Sequence, residues 1–202
     1  MTDQPDRPGR KGQLPLQFPR AQLTFDDLLT SDANRTTLST LRRWRDWRRS
    51  VHALSGPAKS GISTMVTAWA ADAGAEQFEP RNFSRLGNKS IESLARGAVA
   101  IDDADMVKAE DNLLFLINLS DRLGGHVLLG SHLAPSTWRM KAPDLVSRLR
   151  ALPLMRIDEP DEEMFRARLK AAFKREFLVL PRPVEDYVAI RMGRSYAALE
   201  DF

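Results

Sequence analysis

Residues 55–64 read SGPAKSGIST. Gly56 and Gly61 hold the two glycine positions of the phosphate-binding loop G-x-x-x-x-G-K-[ST], and Ser63 holds its hydroxyl position. Pro57 and Lys59 lie between the glycines. In such a loop the backbone N–H groups of the turn and of the following helix cradle phosphate oxygens. The lysine brings a point charge to the outer phosphates, and the hydroxyl ligates Mg²⁺. Here the lysine position is Ile62. A branched hydrocarbon offsets no phosphate charge. An unpartnered buried polar oxygen costs about 1–3 kcal/mol, so binding should weaken at least ten- to a hundredfold. Lys59 is the one loop cation that could reach in from another direction; the alternative is a solvated side chain.

A second constellation lies downstream. AVAIDD (98–103) is an apolar run that ends in Asp102 and Asp103. In a nucleotide-hydrolysing domain the first acid holds Mg²⁺ through water, with Ser63 as the other metal-side oxygen, and the second polarises the attacking water. Asp103 is one methylene shorter than the glutamate usual in that role. The plainer alternative is a pair of acids closing a strand. Ligands bind at the carboxyl edge of open α/β sheets, so a vestigial site is the preferred reading.

These residues need strands and helices in alternation to hold them. VHALSG (51–56), AEQFEP (75–80), AVAIDD, HVLLGS (126–131) and LMRID (154–158) read as strands. Between them, 61–74, 88–97, 110–125 and 144–152 read as helices, with Asn88 as a cap and glycines as stops. A further helix starts from the capping residues of 31–47. After Pro160 only helices follow. The expected class is α/β: a parallel five-stranded sheet flanked by helices, with a small C-terminal helical lid. The expected division is a tail over 1–22, a base over 23–158 and a lid over 159–202.

Composition narrows the chemistry. The 202 residues include no cysteine, which excludes disulfides and thiolate metal sites. No apolar stretch nears the roughly 20 residues of a membrane helix, and the first residues have no apolar leader core. A cytoplasmic protein without membrane contact is expected. The net charge is +3. LRRWRDWRR (41–49) gathers five arginines around Trp44 and Trp47. Such a run could meet nucleic acid phosphates; the preferred reading is a solvated face with the rings turned inward, and weak or absent DNA binding.

QLPLQF (13–18) sets an amide, aliphatic side chains and a ring on one extended peptide, stiffened by Pro15 and Pro19. Leu14, Leu16 and Phe18 could fill a pocket with Gln13 bonded at its rim. The pattern matches the sliding-clamp-binding motif of bacterial replication proteins. A tail folded back over its own sheet is the alternative.

Taken together, these motifs resemble the Hda family, short relatives of the replication initiator DnaA among the AAA+ ATPases, with alphaproteobacterial members nearest. The resemblance runs from about Gln13 to the end. FDDLLTSDAN, with Phe25 and Asn34, resembles the segment that opens the AAA+ domain and contacts the base. VLLGSHLAPSTW resembles the sensor 1 stretch, with Ser131 at its polar position, Trp138 at the usual tryptophan and His132 where arginine is common. DLVSRLRAL resembles the box that carries an arginine finger, with Arg148 at the finger position; pairing with Asp144 is the alternative. RMGRSYAALEDF places Ala197 where a sensor 2 arginine would stand, with Arg194 one turn away.

What the resemblance implies is a negative regulator of replication initiation. It would bind the β subunit clamp of DNA polymerase III through 13–18, associating with the nucleoid through it, and promote ATP hydrolysis by DnaA through Arg148 in trans. It would have little or no ATPase of its own. ADP or ATP with Mg²⁺ is the cofactor the family implies, and self-association a further partner reading. The rivals are a non-catalytic competitor for clamp or initiator and a helicase-loader-like ATPase that uses Lys59.

Overall fold

A computed structural model describes residues 23–191 and 195–200. Gln13, Leu14, Leu16, Phe18 and Arg194 lie outside the described residues. Five parallel strands form one sheet: β1 (Val51–Ser55), β2 (Glu76–Phe78), β3 (Ala98–Ile101), β4 (His126–Ser131) and β5 (Leu154–Arg156), in the order β2-β3-β4-β1-β5. The pairs β1–β4, β1–β5, β2–β3 and β3–β4 are all parallel.

The central strands are buried on both faces, which is why they are apolar without alternation. Val51, Val99, Ile101, Val127 and Leu129 point to one face. There they meet α4 (Asn88–Leu94), α5 (Glu110–Leu123) and α6 (Pro143–Arg150) through Ile91, Leu116 and Leu145. Leu54, Ala100 and Leu128 point to the other face, under α1 (Arg35–Arg42) and α2 (Ile62–Ala73). A short α3 (Pro80–Phe83) follows β2. Beyond β5, α7 (Glu162–Arg175), α8 (Arg182–Arg191) and α9 (Tyr196–Glu200) close on a small core of Phe165, Leu169, Val188, Ala189 and Leu199.

Several boundaries differ from expectation for local reasons. The helix expected over 31–47 stops at Arg42, and Trp44–Asp46 is a separate 3₁₀ turn. Asn88 is the first helical residue, with Gly87 in the cap position. β3 ends at Ile101; Asp102 and Asp103 lie past it, and Asp103 takes a left-handed conformation (φ 48°) to open the turn Ala104–Met106.

The arginine-rich run puts its rings inward, as expected. Trp47 stacks on His52 at 4.0 Å and on Trp69 at 5.6 Å, while Trp44 meets His126 edge-on at 5.0 Å. The five arginines stay exposed. Arg42 reaches Asp26 at 3.0 Å, and Arg45 lies 4.2 Å above the Trp44 ring. His52 and His126 share the sheet face under α2. Burial pushes His52 down to about 4, with His126 and Arg49 adding to the shift, and burial also lowers His126.

Both shifts carry the same sign. The folded state binds fewer protons than the unfolded chain, whose histidines titrate near 6.5. Their contribution to stability is therefore complete above about pH 6.5 and is lost as pH falls toward 4, by up to about 1.4 kcal/mol per unit for one fully shifted site. Urea unfolding across that window should show stability falling with pH, and His52→Phe should flatten the slope. Equal slopes in the two proteins would exclude His52 as its source.

Candidate functional site: a phosphate-loop turn filled by hydrocarbon

β1 runs into the loop at Gly56. A Cβ there would lie 2.8 Å from the Ile157 Cβ, so the chain can pass under residue 157 only as glycine. The Ser60 N–H donates to the Pro57 carbonyl at 3.1 Å. Lys59 (φ 64°) and Gly61 (φ 99°) turn the chain through left-handed conformations into α2. Pro57 is half-buried and Lys59 exposed. The strand, turn and helix of a phosphate loop are all present.

Its chemistry is replaced. Ile62 is 2% exposed and packs with Leu54, Val66, Ala100 and Leu128. Gly130 on β4 makes the room. A Cβ there would lie 2.6 Å from Val66 Cγ2, 3.2 Å from Ile62 Cγ2 and 3.3 Å from Asp102 Oδ1. Ile62 and Val66 thus pack onto the bare backbone of Gly130, beside the Asp102 carboxylate.

The other predicted residues are dispersed. Ser63 is exposed and lines a cavity of about 360 Å³ with Lys59, Ile62 and His132. Asp102 and Asp103 line a different cavity, with Arg81, Arg85 and Lys108. Asp102 Oδ1 accepts from the Asp103 N–H at 3.1 Å. Burial raises Asp103, and the charges of Asp102 and Asp105 raise it further against His132. Ser131 is buried and its hydroxyl is committed: it donates to Asp105 Oδ1 at 2.7 Å and accepts from the Leu133 N–H at 3.0 Å. Trp138 is buried, with its ring N–H on the Leu133 carbonyl. Among the described residues, no group of three or more His, Asp or Glu side chains is placed to hold a metal ion.

The N-terminal segment is fixed from within. Phe25 is buried beneath the Arg42 guanidinium. The Asn34 amide accepts from the Ser31 N–H at 3.0 Å and donates to the Leu29 carbonyl at 2.8 Å. Ala197 is exposed on α9. Arg148 is exposed on α6, anchored by the buried Leu145 and Leu149 on either side of it. It forms no ion pair with Asp144 or any other described residue.

Sequence reasoning missed Arg168. From α7 its guanidinium donates to the Lys59 carbonyl at 2.8 Å and to the Ser60 carbonyl at 2.7 Å. These partners lie 109 and 108 residues away, and a helical arginine carries no local signal of such a contact.

No family model matches the chain, and no curated protein matches it. Solved structures do. AMPPCP-bound DnaA from Aquifex aeolicus is 15% identical over 89% of this chain, with a TM-score of 0.73. Domain III of the Thermotoga maritima replication initiation protein DnaA is also 15% identical over 89%, with a TM-score of 0.71. The chain shares the fold of these DnaA structures. It spans 63% of the Aquifex chain and 85% of the Thermotoga domain. A structure of DnaA bound to AMPPCP and single-stranded DNA aligns at 17% identity and a TM-score of 0.71, with 62% of its length covered.

Against that fold, the residues present do not fit a Mg²⁺-nucleotide. The lysine position is buried hydrocarbon, Ser63 and Asp102 line separate cavities, and the Ser131 hydroxyl is taken. Ile62 has become a packing residue. Ile62→Ala should therefore cost about 2–5 kcal/mol by urea unfolding, the usual range for emptying such a site. A cost under about 0.5 kcal/mol would show that the site is not close-packed.

Proposed function

We propose that the chain is an Hda-type negative regulator of replication initiation. It is tethered to the sliding clamp through Gln13, Leu14, Leu16 and Phe18 and acts in trans on the nucleotide of DnaA through Arg148. The observation that carries this reading is a contrast within one molecule. The loop at 56–63 keeps its backbone shape while Ile62 is buried where a cation belongs. Arg148 stands exposed on a well-packed helix, with no ion pair among the described residues. An arginine finger stabilises charge on a transferring phosphoryl group held by a neighbour and requires no nucleotide in its own subunit. The reading thus accounts for a chain that drives hydrolysis elsewhere and performs none itself. The fold is also shared with the proposed partner.

The test is phosphate release from ATP-loaded DnaA with clamp on DNA. The intact chain should raise it. Arg148→Ala should cut the stimulated rate on the order of a thousandfold, toward the DnaA basal rate, with clamp affinity unchanged. Removal of residues 1–22 should abolish clamp binding. Undiminished stimulation by Arg148→Ala overturns the finger. A wild-type chain that binds clamp without raising hydrolysis is the non-catalytic competitor instead.

A further inference from the structure

Two cavities adjoin beside the loop and share part of their lining. On one side lies a cavity of about 280 Å³, lined by Leu28, Leu29, Asn34, Met65 and Ala172. On the other lies the cavity of about 360 Å³ lined by Lys59, Ile62, Ser63 and His132. Gly61, Thr64 and Arg168 line both. Ligand pockets run from roughly 300 to 1,000 Å³, and the two cavities joined would lie well within that range.

Arg168 is held firmly in this position. Its two terminal nitrogens each donate to a loop carbonyl, at 2.8 and 2.7 Å. Its guanidinium lies 4.6 Å from the centre of the Tyr196 ring. Tyr196 is fully buried, and its hydroxyl donates to the Asp158 carbonyl at 3.2 Å. A Cβ on Gly61 would come 3.1 Å from Arg168 Nη2, so the loop approaches the guanidinium closely. One residue thus joins α7, α9 and the loop, through charge-assisted hydrogen bonds and ring stacking.

We propose that Arg168 is an intramolecular strap that fastens the helical lid onto the loop and keeps the two halves of the cleft apart. A nucleoside diphosphate could span the cleft only once the strap let go. This deepens the proposed function, since it rests on 56–63 being a former nucleotide loop. The contrary reading is that Arg168 has taken over from the missing lysine as a phosphate ligand. In its present place, however, the fork is spent on backbone carbonyls, and a phosphate would have to displace them.

Two measurements on the full-length chain separate these readings. Amide hydrogen exchange needs no ligand. Arg168→Ala should speed exchange at least about tenfold in residues 57–61 and in α7 and α9, and Arg168→Lys, which keeps charge but loses the fork and the stacking, should fall between. Should the alanine variant fold poorly, the lysine variant carries the comparison. Unchanged exchange in both overturns the strap. Calorimetric titration with ADP and Mg²⁺ then compares Ile62→Lys with Ile62→Lys/Arg168→Ala. At least about tenfold tighter binding by the double variant supports the strap; weaker binding makes Arg168 a phosphate ligand and overturns it. If neither binds ADP while exchange rises as expected, the strap stands and the nucleotide reading of the loop fails. Neither measurement involves clamp or DnaA, so their failure is distinct from that of the proposed function.

Discussion

The rest of the structure depends on the contact between the start of α2 and the bare backbone of β4. Ile62 and Val66 descend onto Gly130, where any side chain would meet Val66 Cγ2 at 2.6 Å. Fully burying such side chains is worth about 1.5–3 kcal/mol each. That packing sets the height of α2 over the sheet and hence the path of the turn before it. The loop glycines have structural reasons that involve no ligand: Gly56 passes under Ile157, and Gly61 holds φ 99° against Arg168. A phosphate-loop outline therefore persists here for packing reasons, and the outline by itself is no evidence of phosphate. The evidence lies in the side chain that follows the second glycine.

The lid is assembled on a different principle. Its own core is small, and a charge hub reinforces it. Arg166 meets Glu162 at 3.0 Å, Glu185 at 3.2 Å and Asp186 at 2.7 Å, and Lys170 adds a second cation to Glu185 at 3.1 Å. The Glu185 side chain is only 7% exposed, so removing either cation would leave a buried carboxylate short of a partner. Lid and base are joined largely through polar bonds to backbone. Asp161 accepts from the Met164 N–H at 2.7 Å and from the Ala33 N–H at 2.9 Å, capping α7 while holding the turn before α1. Tyr196 and Met164 supply the apolar share, inserted among the core residues beneath α2. A lid fixed by directional bonds to carbonyls and amides has one preferred seat, unlike a lid resting on a greasy surface.

The strands were legible in the sequence because central parallel strands are apolar on both faces, as VHALS, AVAI and HVLLGS are. The helix stops at Gly74 and Gly124 were legible because each residue takes a positive φ. The strand order was not, since nothing local says that β1 pairs with both β4 and β5. The site was legible as a list of residues and opaque as a geometry. Ile62 could be read as a missing charge, but its role as a wedge depends on Gly130, a residue on another strand. Ser131 looked like a polar group free for a ligand, but its hydroxyl donates to Asp105 across a turn. Arg168 belonged to an unremarked helix, and only the closing of α7 over the loop gives it a task. Each miss is a long-range contact between groups that carry no signal at their own positions.

The loop at 56–63 and the helix that carries Arg148 rest on different cores. Ile62 and Val66 belong to the core on the face of the sheet under α2. Leu145 and Leu149, which anchor α6, belong to the core on the opposite face. Just before α6, the Lys141 and Ala142 N–H groups donate to the Glu110 carboxylate of α5, at 2.9 and 2.7 Å to one of its oxygens, a support independent of the loop. Sites with no shared partners respond to change independently. A change at 62 should therefore repack one face and leave the geometry at 148 as it is. The separation of the two cores by the sheet therefore uncouples the packing around residue 62 from the helix that carries Arg148.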